Sequence, residues 1–241
     1  MPRDSGPTRE KLLDAALKLW AVRGLEGTTL ADINAAADQR NTSAIQYHFE
    51  GRDGLIAAIY ERYIPPLYLR YQALLERAEK SKRVRPVAES IVLPMAELLT
   101  GNWRDRAFLE VFAQMFGASR LTDSQWTNLL PPEFMRRNGD AALSKAEILL
   151  LERIPPLPAS LAMMRLGVAS GIAIQELADF ARRWDTRGRR PEDPELFVSN
   201  LVDVFIAALT APVSASTSAI LGAMDKKPAR RSRSAASAAR R

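Results

Sequence analysis

Thr42, Ser43, Gln46, Tyr47 and His48 place five hydrogen-bonding side chains within one short stretch. A glutamine amide can pair with adenine N6 and N7 through two hydrogen bonds in a DNA major groove. Hydroxyls and an imidazole can take base edges or phosphate oxygens. Arg40 and Asn41 precede the cluster and Arg52 follows it. This is the chemistry of recognition rather than turnover. His48 is the sole histidine of the 241 residues, and there is no cysteine. A Ser/His or Cys/His pair elsewhere is therefore excluded, and so is a zinc site, which needs several such ligands. No Gly-rich phosphate loop occurs. Carboxylates that share a helix, such as Glu89 and Glu97, read as solvated charges. The expectation is a protein that is not an enzyme and uses no metal and no cofactor.

Such a cluster must be held on a rigid element. Thr29 with Asp32 three residues on makes a capping box, and Leu30, Ile33, Ala36 and Ala37 give the helix behind it an apolar face. Asp38-Gln39-Arg40-Asn41 interrupts that pattern with residues that tolerate a left-handed backbone. Asn41 or Thr42 then caps a second helix over Thr42 to His48, where Ala44, Ile45 and Phe49 face inward and the polar cluster faces out. Leu13, Ala16, Leu17 and Trp20 mark an earlier helix over Thr8 to Arg23 that packs behind this pair. Arg9 and Lys11 stand at its start, where they can meet phosphates. The two later helices are expected to form a helix-turn-helix, in which such a second helix lies in the DNA major groove.

Three pieces carry a family resemblance: Thr29-Leu30-Ala31-Asp32-Ile33, Tyr47-His48-Phe49, and Gly51-Arg52-Asp53-Gly54-Leu55. In that order they resemble the DNA-binding domain of the TetR family of bacterial transcription regulators. The turn Asp38-Gln39-Arg40-Asn41-Thr42 replaces the Gly-Val-Ser common in that family. The resemblance covers roughly residues 9 to 60 and is architectural beyond. It implies an all-α protein: a three-helix DNA-binding domain at 1–54, then a larger helical effector-binding and dimerisation domain at 55–212. It also implies double-stranded DNA as partner, with Arg40, Asn41, Thr42, Ser43, Gln46, Tyr47, His48 and Arg52 as the DNA-binding set.

Beyond Leu55 the sequence reads as helices throughout. Pro65-Pro66 is expected to kink or break the helix beginning at Leu55, and Pro94 to bend another over Val87 to Leu99. Trp103, Phe108, Phe112, Met115, Phe116 and Trp126 are core by default. Together they can line an apolar cavity, where helical bundles commonly place ligands and where TetR-like proteins bind an effector. That resemblance implies a small apolar effector. Two late helices, Ala159 to Trp184 and Pro194 to Leu209, resemble the pair through which such proteins dimerise, with Val168, Gly171, Ile172, Gln175, Leu201 and Phe205 on the homodimer interface. Periodicity alone leaves open that they bury within their own domain.

Net charge is +6, but Lys226, Lys227, Arg230, Arg231, Arg233, Arg240 and Arg241 lie in a terminal stretch without acids. Any DNA face must therefore come from placement rather than bulk charge. Residues 213–241 are expected to be a disordered basic tail, since their composition cannot bury a core. The N-terminus lacks an apolar signal segment, and the longest apolar run is broken by Arg165, so a cytoplasmic protein without a membrane partner is expected. The functional expectation is a repressor released from a palindromic operator by an apolar effector. The rival reading is a structural DNA-binding protein with a closed core and no effector.

Overall fold

The computed structural model describes residues 6–39, 41, 43–121, 141–187 and 192–225. Among them there are helices and no strand. The chain runs α1 (Gly6–Arg23), α2 (Leu30–Ala36), α3 (Ala44–Phe49), α4 (Arg52–Glu79), α5 (Val84–Ala96), a 3₁₀ turn (Glu97–Thr100) and α6 (Trp103–Leu121). After the gap come α7 (Ala141–Arg153), α8 (Ala159–Arg187), α9 (Pro194–Thr210) and α10 (Ala215–Asp225). Trp126 and the basic residues from Lys226 onward lie outside the described residues.

Residues up to Leu209 form one compact unit with two apolar clusters. The first gathers Leu12, Leu13, Leu17 and Trp20 of α1, Ile33 of α2, Ile45 and Phe49 of α3, Leu55 to Ile64 of α4, and Phe108 and Phe112 of α6. The second joins Tyr71 and Leu75 of α4, Val87 and Val92 of α5, Leu109 of α6, Leu150 of α7, Leu177 and Phe180 of α8, and Phe205 of α9. Helices α4 and α6 belong to both. The expected boundary at 54/55 falls inside the first turn of α4, and packing does not stop there: Leu55, Ala58 and Ile59 share the core of α1 to α3.

Pro65 and Pro66 do not break α4, which runs continuously over 28 residues. Both prolines sit on its exposed side, where carbonyls left without a donor can meet water. Tyr63 and Ile64 on one side and Tyr71 and Leu75 on the other anchor the helix through burial. Pro94 likewise lies within α5, three residues before the 3₁₀ turn begins. Part of the expected tail is helical. In α10 the Ser214 hydroxyl accepts the Thr217 amide at 3.2 Å and so caps the first turn.

Candidate nucleic-acid interface

Helix α3 is six residues long, too short to persist alone. Its position is set by what surrounds it. Thr29 caps α2 in a complete capping box, with the Asp32 amide donating to the Thr29 hydroxyl at 3.1 Å and the Thr29 amide donating to Asp32 at 2.9 Å. The Thr29 hydroxyl and amide hold the Asp32 carboxyl below its ordinary value. Ile33 and Ala37 bury, while Ala36 faces solvent, so the inward stripe of α2 is narrower than the alanine run suggests. Asp38 takes the left-handed conformation at φ 57°, and the Gln39 amide returns to the Asn34 carbonyl at 2.9 Å. Asn41 turns the chain into α3, its side chain accepting the Ser43 amide at 3.0 Å and its carbonyl the Ala44 amide at 3.1 Å. The helix thus begins at Ala44, two residues later than the expected Thr42.

At its other end α3 stops at Glu50, left-handed at φ 62°, followed by Gly51 at φ 117°. Gly51 is a glycine because that backbone region excludes most side chains. Gly54 is one for a different reason: a methyl there would collide with the Phe49 carbonyl. The first turn of α4 therefore sits directly against the end of α3.

This arrangement leaves one face of α3 to solvent. Ala44, Ile45 and Phe49 are buried; Asn41, Ser43, Gln46 and Tyr47 are exposed, Tyr47 at 80%. His48 is half-buried, its ring edge-on to Tyr47 with centroids 5.0 Å apart. Five of the eight expected DNA-binding residues thus share the outward side of this helix and its entry turn: Asn41, Ser43, Gln46, Tyr47 and His48. Arg40 and Thr42 lie outside the described residues.

Arg52, also in the expected DNA-binding set, is engaged within the protein. Its guanidinium donates to the Thr28 carbonyl at 3.2 Å and to the Leu25 carbonyl, and lies 5.7 Å from the Trp20 ring centroid. It ties the start of α4 to the loop between α1 and α2. The sequence offers no signal for this, because the partners are backbone carbonyls more than twenty positions away. Arg9 similarly lies over the Phe49 ring at 5.1 Å.

A second tie reaches the same loop from α6. The Gln114 side chain of α6 accepts the Leu25 amide at 2.9 Å and donates to the Trp20 carbonyl at 3.0 Å. Arg104, also on α6, makes two hydrogen bonds of 2.5 Å to Asp14 of α1. On its other side α6 meets α8 through Glu110 with Arg182 at 2.9 Å and Arg106 with Asp185 at 2.6 Å. Burial pushes the Glu110 carboxyl above its ordinary value, with Arg182 opposing. Helix α6 is thus fastened both to α1 with its following loop and to α8.

The expected effector lining disperses. Phe108 stacks on Tyr63 with centroids 4.1 Å apart, and Phe112 packs edge-on against Tyr60 at 6.2 Å. Met115 accepts the Tyr60 hydroxyl at 3.1 Å, and Phe116 is buried. Trp103 stands at the surface with Arg104 over it at 4.8 Å. On the side facing α4 these rings are packed core. A cleft of about 380 Å³ opens elsewhere, between α5 and α9.

The expected dimer set also divides. Val168, Ile172 and Gln175 are exposed on α8 and Gly171 is half-buried. Leu201 and Phe205 are not on that surface: both are almost fully buried in the protomer's own second cluster, because they point from α9 toward α5 and α8. The exposed apolar groups are instead Met163, Met164, Val168 and Ile172 of α8 with Leu196 and Val204 of α9.

Fold and site together define a helix-turn-helix module continuous with a larger helical unit. Residues 12–59 match the family described as bacterial regulatory proteins, tetR family. Over 93 residues it is 27% identical to the "Probable HTH-type transcriptional regulator YttP" of Bacillus subtilis (strain 168), covering 39% of this chain and 42% of that protein. Over 77 residues it is 30% identical to the "HTH-type transcriptional repressor KstR2" of Mycolicibacterium smegmatis, covering 32% and 37%. The matches thus span about two fifths of these relatives. The crystal structure of the "Probable transcriptional regulatory protein RHA5900" superposes on 85% of this chain and all of that one, with a TM-score of 0.54 at 18% identity, which supports the fold.

Proposed function

We propose that the protein is a sequence-specific DNA-binding transcription regulator that acts as a homodimer. The carrying observation is α3: three apolar side chains fix it in the core while Ser43, Gln46 and Tyr47 stand free on one exposed side. A reading helix of this kind enters the major groove, with side chains near its start on base edges. Gln46 is the residue suited to adenine, and Tyr47 and His48 to phosphates. Residues that contact phosphate supply affinity without sequence information.

The uncovered apolar side of α8 supports the dimer reading. By length and composition this helix could cross a membrane. Its opposite side, however, is buried in its own protomer through Ala162, Ala169, Ala173, Leu177 and Phe180. A stripe that is apolar outward and packed inward suits one partner surface rather than surrounding lipid. Two copies related by a two-fold axis would present two α3 helices to a palindrome, with half-sites about 34–36 Å apart. Repression is the role printed for the mycobacterial relative and is the role we assign here. An effector would release the operator by preferring the conformation in which that spacing is lost.

The test is binding of full-length protein to genomic fragments in about 200 mM salt, where contacts to phosphate alone weaken steeply. Retention of a few fragments sharing an inverted repeat is expected. Uniform binding that collapses with salt would favour the structural DNA-binding reading.

A further inference from the structure

The α5–α9 cleft lies outside the aromatic cluster and has its own chemistry. Its floor is apolar, made by Leu93 and Ala96 of α5 and Val198 and Val202 of α9. At about 380 Å³ it falls within the range of small-molecule sites, about 300–1,000 Å³. Its rim is acidic. Glu89, Glu97 and Glu195 line it against a single cation, Arg85, which is already held by Glu89, Asp203 and Ser199. Glu97 has Arg70 as partner, whereas Glu195, in the exposed first turn of α9, has no side-chain partner among the described residues. Counting Arg70 and Asp203 with the rim, carboxylates outnumber guanidiniums by four to two.

We propose that this cleft binds a small amphipathic organic cation, its apolar body on Leu93, Ala96, Val198 and Val202 and its positive end beside Glu97 and Glu195. An anion would meet surplus carboxylates there, and a neutral apolar molecule would leave them unanswered. This deepens the effector role above and rests on it for its consequence, though not for the binding itself.

The same geometry supplies a route to α3. Glu97 accepts three hydrogen bonds from Arg70 of α4, Nε at 2.8 and 3.1 Å and Nη2 at 2.7 Å. Both side chains are substantially exposed, so the pair is weakly held and open to competition. A cation at Glu97 takes over part of that carboxylate and loosens Arg70. Arg70 is on the helix whose first turn abuts Phe49, the last residue of α3. Ligand and DNA thereby favour different settings of α4.

The experiment is calorimetric titration of the full-length protein with decyltrimethylammonium and with decanoate, below micellar concentrations. The cation is expected to bind at least about tenfold more tightly. The double substitution Glu97→Gln/Glu195→Gln should cost the cation about tenfold and leave decanoate no worse. Val198→Trp should fill the floor and remove binding; should that variant fold poorly, the glutamine pair carries the test. Equal or tighter binding of decanoate, or unchanged cation affinity in the double variant, would overturn the proposal. Operator binding is measured separately. Cation binding without DNA binding would keep the site and sink the regulatory role.

Discussion

Helix α3 buries Ala44, Ile45 and Phe49 and turns Ser43, Gln46 and Tyr47 to solvent, whereas α8 buries Ala169, Ala173, Leu177 and Phe180 and turns Met163, Met164, Val168 and Ile172 to solvent. Both helices are held by one side in the same unit and differ in what the other side offers. A polar outward face is stable in water and available to a polar partner. Covering an apolar face is favourable, by about 25 cal/mol for each Å² removed from water. The difference fits the partners proposed for each: nucleic acid for α3, a second copy for α8. It also explains why α3 depends on the turns that flank it. A six-residue helix cannot be positioned by its own hydrogen bonds, whereas a 29-residue helix is anchored along its length.

The largest effect is expected on the α8 side. Val168→Glu with Ile172→Glu would bury two charges in the proposed interface, and dimer stability should fall by about 3 kcal/mol or more. Sedimentation should then show folded monomers at concentrations where the wild type is dimeric. A dimer of unchanged stability would remove α8 from the interface. At the α3 side, Gly54→Ala should gain about 1 kcal/mol on helix propensity alone. Here its methyl meets the Phe49 carbonyl, so a net loss of about 2 kcal/mol is expected, seen as a lowered melting temperature and weaker DNA binding.

Gln114→Leu sharpens the link between the two sides. It removes the hydrogen bonds to the Trp20 carbonyl of α1 and the Leu25 amide of the following loop, and leaves that amide without this acceptor. A cost of about 1–3 kcal/mol is expected, with greater amide exchange in residues 24–29 while α8 stays protected. Unchanged exchange there would mean that Arg52 alone holds the loop. The smallest effect concerns Glu110. Its carboxyl binds a proton more tightly in the native state than in the unfolded chain, so its contribution to stability declines as pH rises above the ordinary glutamate value of about 4.3. Melting profiles of Glu110→Gln should show a flatter decline through that window; parallel profiles would assign the dependence to other groups.

Much of the N-terminal organisation was legible because its signals are local. The capping box at Thr29 and the left-handed residue at Asp38 each declare a backbone geometry within a few residues. What was not legible depends on distant partners. Gln114 and Arg52 act on carbonyls and amides that carry no side-chain signature. Leu201 and Phe205 have the same helical spacing whether they bury inward or outward, and only the packed neighbours decide. Pro65 and Pro66 break a helix when their orphaned carbonyls are buried; on the solvent side of α4 they do not.

The account rests on α3 as the reading element, and the most direct test is selection of duplexes from a random library by full-length protein and by Gln46→Ala. The wild type should enrich a two-fold symmetric site with half-sites one helical turn apart. Gln46→Ala should keep the symmetry, lose preference at one position in each half-site and bind the parent site about 1–3 kcal/mol more weakly. Identical selected sites for both proteins, or no enriched site for either, would contradict the assignment of α3.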